Sequence, residues 1–232
     1  MRQIVSFVVV CALSLGTSFA QEWRTFTSME DRFSANYPGE PEVTEILWET
    51  EYGAMLPGRV YTVEQGANKY AATVVDYNPI VEILTEQGKI CPPGLEGCEG
   101  TTAARRSDNN GAGYWKTDIR GAMIYVTSQY LKRDVTVTDY MWNWLGQGPE
   151  VHQLQLINNA DQARIFVNIY MHHNWLYILE ETAPENGPPP AIFHQSISLF
   201  EEDGRRAGHG GLYFNAPEVD PDQVFTFGGG PN

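Results

Sequence analysis

Two periods organise the apolar residues of this chain. In residues 164–181, "RIFVNIYMHHNWLYILEE", strict alternation places Ile165, Val167, Ile169 and Met171 on one side of a strand. Phe166, Asn168, Tyr170 and His172 fall on the other side, because successive side chains of a strand point to opposite faces. If His173-Asn174 is a two-residue turn, Met171 meets Leu176, Ile169 meets Ile178, Tyr170 meets Tyr177 and His172 meets Trp175. One face of the hairpin is then aliphatic on both arms and the other is aromatic. Asn suits such a turn, which requires positive φ.

The same reading predicts further strands. "DRFSANYPGEPEV" (31–43) alternates Phe33, Ala35 and Tyr37 before a corner at Pro38-Gly39. Arg59–Val63 and Tyr70–Tyr77 form two strands joined by a turn at Gln65-Gly66-Ala67-Asn68. "DVTVTDYMWNWL" (134–145) and "EVHQLQLIN" (150–158) complete the set. Three segments predict helices. In 78–88, Asn78 caps, Pro79 takes the first helical position and Gly88 ends the run. In 121–133, Met123, Val126 and Tyr130 recur at helical spacing. A short helix is expected after the prolines of "PPPAIFHQSISLF" (188–200), running into a strand. The Gly-rich stretch from Ile90 to Gly113 reads as loop. The expected fold class is therefore α+β, an antiparallel sheet with a few flanking helices. No repeat or linker divides it: one domain spans 21–205, and 206–232 is an irregular Pro/Gly-rich tail.

The first twenty residues change the picture. "MRQIVSFVVVCALSLGTSFA" has a positive charge at Arg2, an apolar run from Ile4 to Leu15, and small residues at Ser18 and Ala20. This is the pattern of a secretory signal peptide, with cleavage after Ala20. A membrane span needs about 20 apolar residues, and no second long apolar run follows, so the exported chain is expected not to span a membrane. Cys11 would leave with the leader. Cys91 and Cys98 remain, bracketing Pro92, Pro93, Gly94 and Gly97 in "ICPPGLEGC". In an oxidising compartment an even pair around a tight loop reads as a structural disulfide. The acids number 29 against 15 Lys+Arg, a formal charge of −14, which disfavours nucleic acid.

Candidate chemistry is sparse. The chain has no G-x-S-x-G, H-E-x-x-H or P-loop, and neither a catalytic residue nor a cofactor is expected. A metal site needs three or four converging ligands. Alternation sends the consecutive His172 and His173 apart, and His152, His194 and His209 show no ligand spacing, so no metal site is expected. What remains is aromatic. Tyr140, Trp142 and Trp144 alternate onto one side of their strand, as do Tyr170, His172, Trp175 and Tyr177 in the hairpin. If both sets share a sheet face, Trp142, Trp144, Tyr170, His172, Trp175 and Tyr177 form a candidate binding surface, unless the 121–133 helix covers them as a second core.

"FSANYPGEP" resembles the "FSV-x-x-P-G-x-P" opening of many small exported bacterial proteins. "NWLYILEETAPENGPPPAIFHQSISLF" is similar to their "NRLY" strand, "P" turn and "F-x-x-S" closing helix. Those proteins resemble the PsbP-like (DcrB-like) α/β/α sandwich. The resemblance implies an accessory or binding role in the cell envelope rather than an enzyme, and its motifs carry no catalytic residue. The partner class is then an unidentified protein or small ligand of the periplasmic or extracellular envelope. The alternative is a small envelope hydrolase in which a histidine meets a carboxylate and a serine.

Non-reducing mass spectrometry of the exported protein tests the disulfide. The chain is expected two hydrogens lighter than its sequence mass. Two thiols that alkylate without reductant would refute the Cys91–Cys98 bond.

Overall fold

The computed structural model describes residues 23–80, 82–83, 112–144, 149–187 and 192–207. The expected leader, the expected Cys91–Cys98 disulfide and the expected tail beyond 207 fall outside the described residues. The elements are β1 (Arg24–Ser28), β2 (Phe33–Tyr37), β3 (Glu42–Glu49), β4 (Met55–Gln65) and β5 (Asn68–Asp76). They continue with α1 (Ala112–Leu131), β6 (Val135–Trp144), β7 (Glu150–Asn158), β8 (Arg164–His172), β9 (Trp175–Ala183) and β10 (Ser198–Leu199). Seven strands form one antiparallel sheet in the order β3-β4-β5-β9-β8-β7-β6, and β1-β2-β10 form a second.

The β8–β9 hairpin lies in the interior of the large sheet, and its register is the one the alternation predicts: Ile169↔Ile178, Tyr170↔Tyr177, Met171↔Leu176 and His172↔Trp175. His173 and Asn174 form the two-residue turn with φ of 46° and 60°, the left-handed pair that matches strand twist. The two faces are then covered differently. On the aliphatic face α1 lays Ile119, Ala122, Met123, Val126 and Tyr130 against Leu154, Leu156, Val167, Ile169, Met171 and Ile178. On the aromatic face β2 and the segment around Phe193 bring Phe33, Ala35, Tyr37 and Phe193 against Tyr61, Tyr70, Tyr170, Tyr177 and Leu179. Burying one such side chain contributes about 1.5–3 kcal/mol, so both cores matter to stability.

This architecture corrects the α+β expectation. Strands dominate the described residues, α1 is their one long helix, and the fold is mainly β. The layer over the aromatic face is a sheet, where flanking helices were expected. The physical reason is that Phe33, Ala35 and Tyr37 alternate at strand period and seat a strand on the tyrosines. The helix expected after the prolines is absent from 192–197, which run as bends and turns into β10. There Ser196 Oγ donates to Phe193 O at 2.7 Å and accepts from Asn36 N at 2.8 Å, so its hydroxyl closes a turn onto β2. Of the segment 78–88, residues 78 and 79 form a turn, residues 80, 82 and 83 are helical, and 81 and 84–88 lie outside the described residues. The strands β1 and β3 have no clean alternation and were not predicted.

The helix α1 also begins at Ala112, upstream of the expected start. Gly121, read as a boundary, sits inside it, because the β3–β4 turn approaches there: an added Cβ would lie 3.2 Å from Glu51 Oε2. Nearby, Asp118 is fully buried and accepts a hydrogen bond from Thr50 Oγ1. Thr50 Oγ1 in turn accepts from Ala54 N at 3.1 Å. Burial pushes the Asp118 carboxyl from its ordinary 3.8 up to about 7, against the opposing hydrogen bond from Thr50. An acid with a raised folded pKa binds its proton more tightly folded than unfolded. Its contribution to stability therefore falls as pH rises from about 4 to about 7 and is flat above. Asp118→Asn removes that slope. Urea denaturation should show the variant gaining on the wild type across this interval, by at most about 1.4 kcal/mol per pH unit. A difference that does not change with pH would refute the assignment.

Candidate functional site: an acidic cleft and a histidine pair

At one end of the sandwich the large sheet runs past the cover of the small one. A cleft of about 460 Å³ opens there. Its floor is the aromatic face of β4, β5 and β9, its rim is the edge strand β3, and its wall is the β1–β2 turn. Register explains the lining: Leu47 pairs with Pro57, Glu45 with Arg59, Arg59 with Val74 and Asp76 with Trp175. Four carboxylates, Glu30, Asp31, Glu45 and Asp76, line the cleft beside the apolar Leu47, Val74 and Trp175.

The wall is clamped. Asp31 is buried, accepts from Arg59 Nη1 at 2.6 Å and also accepts from the Tyr61 hydroxyl. The Asp31 carbonyl accepts from Tyr177 Oη at 3.1 Å. Arg59 also pairs with Glu30. Burial raises the Asp31 pKa, while the Tyr61 and Arg59 bonds oppose it. Tyr61 is pushed up to about 12 by burial and by its bond to Asp31. The one base of the cleft is thus committed to two of its acids. Asp76 Oδ1 accepts from Asn78 N at 2.9 Å and Nδ2 at 2.7 Å. Glu45 forms no ion pair among the described residues and stands exposed on β3. Trp175 is half-buried, and its indole N–H is enclosed without an acceptor among the described residues.

Trp175 also borders the histidines, since it pairs with His172 across the hairpin. Alternation separates consecutive side chains, yet the rings of His172 and His173 lie 4.1 Å apart, edge to face. The left-handed φ of His173 breaks the alternation at the turn. Glu201, just past β10, closes the group: its Oε2 is 2.9 Å from His173 Nε2, and its Oε1 is 3.5 Å from His172 Nε2.

The aromatic candidates divide. Tyr170 and Tyr177 are buried in the core under the small sheet, and His172 and Trp175 sit at its margin. Trp142 lies on the opposite face, because it pairs with His152, whose Nδ1 is 2.9 Å from Thr127 Oγ1 of α1. It is 63% exposed and packs on His152 with ring centroids 5.9 Å apart. Trp144 ends β6 opposite Glu150, and its side chain lies outside the described residues. The two aromatic sets therefore do not share a face. His194 meets Glu181 at 3.5 Å, but both are buried and His194 is stacked on Phe166. Glu30, Asp31, Glu45, Arg59 and Glu201 were missed by the sequence reading. The available signal was Arg59 at strand spacing with Tyr61 and Val63, a charge on an inward face.

No family model matches the chain, and no curated protein does. Among solved structures, it is similar to the solution structure of cyanobacterial PsbP (CyanoP) from Synechocystis sp. PCC 6803. The likeness has 10% identity and a TM-score of 0.37, and covers 74% of this chain and 85% of that one. A likeness of that size bears on neither site nor function. Among the described residues no helix is long and apolar enough to cross a membrane.

Tyr61→Phe tests the clamp. It removes a donor from a buried carboxylate, which costs about 1–3 kcal/mol, so the urea midpoint should fall with the slope unchanged. A variant as stable as the wild type would show that Asp31 does not depend on Tyr61.

Proposed function

We propose that this chain is an exported, non-enzymatic binding protein of the cell envelope, and that it takes a basic, extended segment of a partner protein along β3 and into the acidic cleft. The observation that carries this reading is the composition of the cleft: four carboxylates and one arginine already paired with two of them. A cation entering there is attracted by the uncompensated acids. Leu47, 70% exposed, and Trp175 offer apolar contact for the stem of a lysine or arginine.

The rim supports a strand-like ligand. The strand β3 is the last of the large sheet on its side, so its outer backbone groups have no strand partner among the described residues. An extended peptide can pair there. Glu42, Glu45 and Glu49 lie along that edge. Such charges also keep identical edges from pairing with each other, and they favour a basic partner over a second copy of this acidic chain. Export rests on the leader pattern of residues 1–20, and the envelope is the compartment where the pattern would deliver the chain.

Zero-length carbodiimide coupling in a native envelope fraction tests the reading, because it joins carboxylates only to amines in contact. Partner lysines should couple to Glu45 or Glu30. Capture should be lost in Glu45→Lys, an exposed position, while the denaturation midpoint falls only slightly, because the new lysine faces Arg59 across the strands. It should also be lost near 1 M salt, where the screening length is about 3 Å. Crosslinks confined to other surfaces, or capture indifferent to salt and to Glu45→Lys, would overturn the proposal.

A further inference from the structure

We infer that His172, His173 and Glu201 form a binding site for a zinc-type divalent transition-metal ion at the tip of the β8–β9 hairpin. This site is separate from the peptide cleft and does not depend on it. One ligand atom from each of the three residues lies within 4.8 Å of the other two. A tetrahedral zinc site with bonds of about 2.0 Å sets its ligands about 3.3 Å apart. His173 Nε2 lies 2.9 Å from Glu201 Oε2 and His172 Nε2 lies 3.5 Å from Glu201 Oε1, so each imidazole stands near that spacing from one of the two carboxylate oxygens. Rotation of the Glu201 carboxylate and the two rings would bring one atom of each residue onto one ion.

The chemistry of the set is selective. Two imidazoles and one carboxylate suit zinc and its neighbours, whereas calcium and magnesium take all-oxygen shells. The backbone under each ligand is fixed. His172 is held in the β8–β9 ladder, and His173 occupies a left-handed turn position. Glu201 belongs to a tight turn in which its N donates to Arg205 O at 2.8 Å and its O accepts from Gly204 N at 2.9 Å. Phe200 N ties the same turn to Arg32 O at 2.8 Å. The neighbouring cation Arg32 has its own seat, 3.8 Å from Glu202 and over the Trp175 ring at 5.8 Å. His172 is buried, while His173 and Glu201 are half-exposed, so an ion could enter from solvent and keep water in its remaining position. A bound ion would staple the turn after β10 to the hairpin, joining the last described segment to the large sheet.

The test is zinc chloride titrated calorimetrically into the purified, tag-free protein, with cobalt(II) absorption as a second probe of the ligand set. The expected result is one ion per chain and a rise in the denaturation midpoint on adding zinc. His173→Asn keeps a residue suited to the turn, and Glu201→Gln keeps the shape of the side chain. Changes outside the ligand shell already cost about 10–100-fold in metal affinity, so each variant should lose at least about 100-fold. His173→Asn should also lose the zinc-dependent rise while keeping the midpoint of the metal-free protein. A wild type that takes up no zinc at one-to-one stoichiometry would overturn the site. So would variants that bind zinc as the wild type does, since the ion would then sit elsewhere.

Discussion

Two consecutive left-handed residues, His173 and Asn174, set the rest of this molecule in order. A two-residue turn leaves no freedom of register, and a slip of one residue would send every side chain of the hairpin to the wrong face. With the register fixed, isoleucine, valine and methionine collect on one side of the central strands, and tyrosines on the other. The helix seals the first side. The second carries hydroxyl groups that need partners, and the loops of the small sheet supply them, as when Tyr177 donates to the Asp31 carbonyl. Asn174 itself fixes the next element, its carbonyl accepting from Tyr77 N at 2.8 Å.

Two buried carboxylates fasten the outer layers to the sheet in the same way. Asp118 reaches from α1 to the β3–β4 turn, and Asp31 reaches from the β1–β2 turn to β4. Each takes a hydroxyl donor, from Thr50 and Tyr61 respectively, and burial raises the pKa of both. They differ in charge balance. Asp31 has Arg59 beside it, so its negative charge is compensated. Asp118 has the carboxylate of Glu51 as a neighbour, which adds to the upward shift. A buried acid without a base is expensive to ionise, and this cost makes the helix–turn junction a joint that weakens as pH rises through the interval between about 4 and about 7.

The acidic cleft and the histidine group are both products of edges. The large sheet outruns the small one, and the uncovered end exposes Trp175 between two clusters of opposite chemistry, carboxylates on one side and imidazoles on the other. Neither cluster is contiguous in sequence. Glu45, Arg59 and Asp31 come from three different segments, and Glu201 reaches the hairpin only because β10 pairs with β2.

The sequence by itself determined the hairpin, its register and its turn, the strands at 33–37 and 150–158, and the identity of the aliphatic and aromatic faces. All of these follow from local alternation and turn chemistry, which act over a few residues. Only the tertiary structure decided that a sheet covers the tyrosines, that β1 and β3 are strands, and that the helix extends back to Ala112 through two glycines. Their local signals are weak, and burial against distant elements outweighs propensity. The sites divide along the same line. Trp175 and His172 could be placed on one face from sequence, because alternation is strict within a strand. Trp142 could not be assigned to the opposite face, since that depends on the bulge between Val137 and Asp139 and on pairing across β7. The approach of His173 to His172 required the actual φ of the turn. Glu201 required the fold of the whole chain, because no periodicity links residues brought together by the pairing of remote strands.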